Sequence, residues 1–377
     1  MMEMLKRTWA EISLENLEYN YRWLRGHVPA GTKFLGVVKA DAYGHGAVQI
    51  AGHLEKLGAE FLAVATLDEA RLLREGGIKL PTLVLGYTPP QFAAYEAEQG
   101  IRQEVGSLEQ AQQLNEQLQG TGKQLKIHLK LDTGMSRLGF FAYDRPETID
   151  ELAEIAAMPN LYIEGVFQHF CVADSHEEAN CSFTRLQYER FCTMLSAMAE
   201  RGIRPEIRHC CNSAATILYP EFAMDMVRPG IATYGYAPDP CMNGDCDLKP
   251  LLSLKTTVSQ IREFEEGITV GYGRTWTTPG KRRIAALPIG YADGLNRRLS
   301  GKIEFLIHGK IVPQVGRICM DMCMADITDV PEAAVGDTVT VIDREGVCSC
   351  ENMAKKLDTI TYEITCGINK RVPRLYL

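Results

Sequence analysis

Eight short apolar runs alternate with helical periodicity over the first two thirds of this 377-residue chain, and that alternation leaves few possible folds. The runs at 34–39, 61–64, 82–85, 102–105, 125–131, 162–169, 206–210 and 225–227 read as buried strands. The intervening helical patterns are clearest at 67–75, 108–118 and 184–201. A further helix is expected from Ser13, acting as its cap, to about Leu24. Strands that alternate with helices make parallel crossover units, and eight of them close into a (β/α)8 barrel, typically of about 250 residues. The barrel is therefore placed at 13–240. A proline- and turn-rich stretch at 238–250 then marks a hinge, and the pattern changes. Strand-like runs at 254–264, 283–289, 303–307, 311–315, 322–327 and 338–342 follow closely on one another, with one helix near 350–357. Residues 241–377 thus read as a mainly antiparallel β domain, with which the opening segment 1–12 is expected to pack.

The net charge of −8 gives no general attraction for nucleic acid or anionic lipid, so any phosphate must be held locally. The 12 cysteines are scattered and lack the spacing of a zinc site, so no metal is expected. No apolar run approaches a membrane span, and the opening residues lack the apolar core of a signal peptide, so a cytoplasmic protein is expected.

Polar residues with chemical potential fall where the strands of such a barrel would end. Lys39 ends the first run and leads into a glycine-rich turn carrying Tyr43 and His45. A lysine at such a place either snorkels to solvent or sits partly desolvated, where its amine can form a Schiff base with an aldehyde. Lys130 and Arg137 lie at the end of the fifth run, His169 ends the sixth, His209 with Asn212 and Ser213 the seventh, and Arg228, Gly230 and Ile231 the eighth. Singly, each has a plain structural reading: a core histidine, an ion-pair partner, a helix cap. Together they supply an amine, a phosphate cradle at Tyr43, Ser213, Gly230 and Ile231, and an arginine able to face a pyridine nitrogen. Pyridoxal phosphate carries an aldehyde, a phosphate and a pyridine nitrogen.

The motifs Val37-Val-Lys-Ala-Asp-Ala-Tyr-Gly-His-Gly46, Asp132-Thr-Gly-Met, Asn212-Ser213, Arg228-Pro-Gly-Ile231, Val270-Gly-Tyr-Gly273, Val315-Gly-Arg-Ile-Cys-Met-Asp321 and the run from Tyr362 to Arg374 resemble those of the bacterial alanine racemase family. The resemblance covers essentially the whole chain and implies a pyridoxal-phosphate-dependent homodimer. It assigns Lys39 as the cofactor lysine and one catalytic base, and Tyr272, reaching the partner's site, as the other. Racemisation requires a base on each face of a planar carbanion. The resemblance also implies a hydrogen-bonded chain from Tyr272 through His169 and Arg228 to His209. Cofactor contacts fall to Tyr43, His169, Asn212, Ser213, Arg228, Gly230, Ile231 and Tyr362. Arg137 and Met320 of the partner subunit would meet substrate, Lys130 matches a lysine that is carbamylated in many members, Asp321 would support the site, and Asp174, Tyr291, Arg297 and Arg317 would line an access corridor. Ser136 stands where the family frequently has glycine.

The expected activity is interconversion of L- and D-alanine, supplying D-alanine for peptidoglycan. A serine racemase of the same family is the nearest alternative; the Tyr362 phenol favours alanine by crowding larger side chains. A non-catalytic pyridoxal phosphate carrier is disfavoured by the whole β domain with Tyr272. A decarboxylase is disfavoured because Arg228 replaces the acid that would make a stronger electron sink.

Overall fold

In the structure, a computed structural model, residues 7–377 are described. They divide into two compact units. One comprises Glu18–Ala42 and Ala47–Leu248, and the other the described residues through Leu17 with Tyr43–Gly46 and Lys249–Leu377.

The first unit is the barrel. Its strands are β2 (Lys33–Val37), β3 (Phe61–Val64), β4 (Thr82–Val84), β5 (Ile101–Val105), β6 (Leu125–Asp132), β8 (Leu161–Phe167), β9 (Ile207–His209) and β10 (Met226–Val227), with a two-residue β7 (Phe140–Phe141) beside β6. They pair in parallel in the order β10-β2-β3-β4-β5-β6-β8-β9. Between β9 and β10 the ring is drawn together by backbone bonds from Asp225 N to Arg208 O (3.0 Å) and from Arg228 N to Cys211 O (2.9 Å). Every residue of β3 and β4 is buried, as expected for strands covered on both faces. The helices are amphipathic: Leu67, Ala70 and Leu73 of Leu67–Glu75 face inward, and Thr66 with Glu69 forms a capping box at its start. Ser13 caps the helix Leu14–Gly26 by accepting from Asn16 N at 3.1 Å. Two strands stop two residues short of the sequence expectation, and β4 and β9 stop one residue short. β2 ends at Val37 and β8 at Phe167, because the chain turns out of the ladder before Lys39 and His169.

The second unit holds a nine-stranded sheet in the order β12-β15-β18-β17-β16-β19-β11-β1-β20. Here β1 is Thr8–Ile12, β11 Leu252–Thr257, β12 Gln260–Phe264, β15 Arg282–Leu287, β16 Glu304–Ile307, β17 Lys310–Val315, β18 Cys323–Asp326, β19 Thr338–Ile342 and β20 Arg374–Tyr376. A separate ribbon joins β13 (Thr269–Val270) to β14 (Trp276–Thr277). The opening strand β1 pairs antiparallel with β11 and parallel with β20; residues 1–6 lie outside the described residues. The run read as one strand over 254–264 is two. At Val258 the backbone bonds Asp337 O, and at Ser259 it bonds Ala286 O, so β11 pairs with β19 and β12 with β15. Helices Cys350–Leu357 and Thr361–Cys366 follow β19; the second was not anticipated. No helix among the described residues is long and apolar enough to cross a membrane.

Candidate active site

Lys39 opens a turn of unusual backbone. Ala40, Asp41, Ala42 and Tyr43 have φ of 52°, 54°, 53° and 52°, a left-handed helical turn built without glycine. Each such residue costs roughly 1–2 kcal/mol, and strain of this kind persists only where surrounding structure enforces it. Here Glu69 Oε1 accepts from Ala40 N (2.6 Å), Val38 O from Ala42 N (2.9 Å), and Asp41 Oδ1 from Ala47 N (2.9 Å). The turn takes Lys39 out of the β2 direction at the carboxyl end of the barrel, the end where barrel enzymes carry their chemistry.

Arg228 lies just beyond β10 and is buried. Its Nη1 donates to His209 Nδ1 at 3.0 Å, and its Nη2 to Gln168 O at 2.8 Å, Cys210 O at 3.1 Å and His169 Nδ1 at 3.4 Å. All these acceptors are neutral. Burial, then the positive charge of Arg228, holds both His169 and His209 well below the usual imidazole range, so neither ring carries charge near neutral pH. The charges of Lys130, Arg137 and Lys39 depress His169 further. The expected link His169–Arg228–His209 is therefore present within the barrel unit. Among the described residues the Arg228 Nε–H has no hydrogen-bond acceptor. A donor with no protein acceptor, on a guanidinium whose other partners are all neutral, fits a pyridine nitrogen kept unprotonated.

Lys130, on β6, is also buried, and its ammonium donates to Leu131 O at 2.9 Å. Burial and then Arg228 bring its pKa down to about 7. Glu104 on β5 and then Asp132 offset this, and burial pushes the Glu104 pKa up to about 7 against the pull of Lys130 and Arg137. Arg137 is exposed on the loop after β6, whose shape is set by Asp132 Oδ1 accepting from Gly134 N (2.9 Å) and Ser136 N (3.0 Å). Ser136 has φ 56°, a backbone that glycine adopts without cost, which accounts for glycine being frequent at that place in the family.

The expected phosphate cradle has local structure to match. Ser213, buried at the start of helix Ser213–Leu218, accepts at Oγ from Gly230 N (2.8 Å) and Ala232 N (3.4 Å), and Ile231 opens the following 3-10 turn. Both amides bond the Ser213 hydroxyl, at a helix start where backbone N–H groups favour an anion. Asn212 caps the same helix, since its Oδ1 accepts from Ala215 N at 3.0 Å, and its Nδ2 donates to Phe170 O at 3.4 Å. Asp174 is half-buried, and its carbonyl accepts from the Cys241 thiol at 3.1 Å.

The remaining expected residues belong to the other unit. Tyr43 and Tyr362 face each other there with ring centroids 5.9 Å apart, and burial raises the Tyr43 phenol well above its ordinary range. Tyr272 is 71% exposed on the turn between β13 and β14. It borders an apolar groove of about 790 Å3 with Phe264, Ile268, Met320, Met322 and Met324. The Cys319–Met320 backbone is clamped by Tyr291 N (3.0 Å) and Ala292 N (2.9 Å), and a Cβ at Gly290 would come within 2.4 Å of Met320 O. Asp321 pairs with Arg371 at 2.7 Å, and Arg371 also holds the buried Asp293 at 2.8 Å. Tyr291 and Arg297 line a second cavity of about 510 Å3 with Glu363 and Ile364, while Arg317 packs beside Gly273. No group of metal ligands occurs among the described residues.

The structure adds polar residues that sequence reading missed: Glu104, His128 and Glu164. His128 was signalled, because the two-residue period of β6 puts it on the same face as Lys130.

A parallel barrel with a lysine on a strained turn, a buried arginine and a serine at a helix start beyond the carboxyl ends of its strands has the layout of a barrel enzyme. The family model for the alanine racemase N-terminal domain matches residues 12–238, and that for the alanine racemase C-terminal domain residues 251–376. An alanine racemase of Clostridium tetani is 43% identical over 100% of this chain and 97% of its own. The solved alanine racemase of Clostridium difficile 630 superposes with a TM-score of 0.94 at 39% identity, covering 100% of this chain and 97% of that one. A histidine racemase of Leuconostoc mesenteroides is also similar, at 29% identity and TM-score 0.89 over 99% and 98% of the two chains. The chain belongs to the alanine racemase family, isomerases that act on amino acids.

Proposed function

We propose that the chain is a homodimeric, pyridoxal-phosphate-dependent racemase that interconverts L- and D-alanine in the cytoplasm and supplies D-alanine for peptidoglycan. The observation that carries the reading is Arg228, a buried guanidinium with only neutral protein acceptors and an unused Nε–H, in the same barrel unit as Lys39. When bound, pyridoxal phosphate supplies an electron sink that acidifies the α-proton of an attached amino acid. The Arg228 donor holds the ring nitrogen unprotonated, which restrains that sink and favours return of the proton over competing bond cleavages. The amides at Gly230 and Ile231, with Ser213, bind the phosphate.

Lys39 Nζ takes or returns the α-proton on one face, and Tyr272 of the partner subunit does so on the other. The exposed Tyr272 and its apolar groove support a surface covered by a second copy. Arg137 orients the substrate carboxylate together with the backbone of Met320 of the partner subunit, Asp321 with Arg371 supports the Met320 loop, and Asp174, Tyr291, Arg297 and Arg317 are the corridor residues. A neutral Lys130 amine adds carbon dioxide, forming an N–C bond and releasing one proton; the resulting anion pairs with Arg137. The domain limits that fit this reading are a barrel over 13–240 and a β domain over 241–377.

The test is α-proton exchange of L-alanine and L-serine in deuterated water by the cofactor-loaded protein, beside Tyr272→Phe. Deuterated racemic alanine from wild type, with inversion lost in the variant, supports the two-base reading. A faster rate on serine would transfer the assignment to a serine racemase, and cofactor binding without exchange would leave a carrier.

A further inference from the structure

Behind Arg228 a run of buried polar side chains leads away from the ligand end of the barrel. Arginine has only donors, so the 3.0 Å bond from Arg228 Nη1 makes His209 Nδ1 an acceptor. The neutral His209 ring must then carry its proton on Nε2, and that atom lies 2.8 Å from His128 Nδ1. His128 is neutral in turn, because burial lowers it, so its proton sits on Nε2 and points at Glu164 Oε2, 3.3 Å away. Burial alone would raise the Glu164 carboxyl, but hydrogen bonds from His128, Arg102 and Lys126 hold it well below its usual range. Arg102 reaches it at 2.8 and 3.1 Å, and Lys126 at 2.7 Å. Every proton in the run is thereby directed from Arg228 toward Glu164.

The backbone is built around this run. A Cβ at Gly165 would come within 2.4 Å of His128 Nδ1, so only glycine leaves room for the ring. The β6–β8 register shifts between Ile127 and His128, beside that glycine. Phe167 stacks on His209 with centroids 4.9 Å apart and planes at 9°, fixing the ring's tilt. Neither His128, Glu164 nor Gly165 has a part in the chemistry described above.

We infer that Glu164 is the remote counter-ion of Arg228, coupled to it through His209 and His128, and that His128 and Glu164 are positioning residues for the guanidinium that faces the cofactor ring. This rests on the cofactor reading above. The titratable or charged groups facing the run are Arg102 from β5, Lys126 and Lys130 from β6, Glu164 from β8, His169 beyond it, His209 from β9, and the Cys210 and Cys211 thiols next to Arg228. Among the described residues only Glu164 supplies negative charge directly to the run. Removing it makes the potential at Arg228 more positive and lowers the pKa of every base coupled to that residue.

The experiment compares kcat/KM against pH for cofactor-loaded wild type, Glu164→Gln, Glu164→Asp and His128→Leu, together with 15N-histidine NMR of the wild type. The expected result is a shift of both limbs of the profile to lower pH by about one unit in Glu164→Gln, with His128→Leu shifted the same way and Glu164→Asp retaining the wild-type limbs. The NMR should show His128 and His209 both neutral with the proton on Nε2. A Glu164→Gln profile with unchanged limbs overturns the inference, as does a wild type with a charged His128 or a proton on His209 Nδ1. If the wild type turns over no amino acid, the functional reading fails while the proton directions are still decided by the NMR.

Discussion

Arg228 donates to His209 Nδ1 at 3.0 Å, and among the described residues no carboxylate touches that guanidinium. A buried cation in this state is held by a fork of directed N–H bonds rather than by an ion pair.

That dependence on shape makes lysine a poor substitute. Arg228→Lys keeps a charge but loses the fork, leaving His209 Nδ1 or the Cys210 carbonyl without its donor. The expected outcome is a fall in kcat/KM of roughly 100-fold and a changed absorption spectrum of the bound cofactor, measured by steady-state kinetics and spectrophotometry.

Lys130 sets a pH dependence of stability. Its folded pKa is about 7 against an ordinary 10.5, so the unfolded chain binds more protons between those values. Stability from this residue therefore rises as pH climbs from about 7 to about 10.5 and carries its full penalty below 7. In carbon-dioxide-free buffer the melting temperature should climb over that window for wild type and stay flatter for Lys130→Met. Added bicarbonate should stabilise the wild type alone.

Glu96 works in the opposite sense. It is wholly buried, neither carboxyl oxygen has a hydrogen-bond partner among the described residues, and burial pushes its pKa to about 7 from 4.5. The acid is favoured neutral in the fold, so stability falls as pH rises from 4.5 to 7 and is flat above. Glu96→Gln should remove this slope and raise the melting temperature at pH 8 by roughly 2–4 °C, read by calorimetry across pH.

The left-handed turn after Lys39 predicts two substitutions of opposite sign. Ala40→Gly relieves positive φ at an exposed site and should stabilise by about 0.5–1 kcal/mol. Gly44→Ala puts a Cβ 2.1 Å from Thr365 O and should destabilise by about 2 kcal/mol or more. Chemical denaturation with cofactor titration reads both.

Most of the barrel was legible in the amino-acid pattern, because buried strands and amphipathic helices announce themselves by period. The runs at β3, β6 and helix Leu67–Glu75 fall where the pattern placed them. Lys39, His169, His209 and Arg228 were likewise visible as polar residues following apolar runs. What remained hidden were features without local period: the division of 254–264 into β11 and β12, the strand β20, and the left-handed backbone of Ala40 to Tyr43.

By itself the sequence determined the alternation of elements, the residue types at strand ends, and hence a barrel with an amine, an arginine and an anion nest. Those follow from side-chain direction, which a period of 2 or 3.6 sets residue by residue. Only tertiary structure decided that Arg228 has neutral partners alone, that Glu104 faces Lys130, and that Gly165 admits His128 between Glu164 and His209. These depend on which distant strands become neighbours and in what register. No local pattern carries that information, because register is set by hydrogen bonding and packing across the whole sheet.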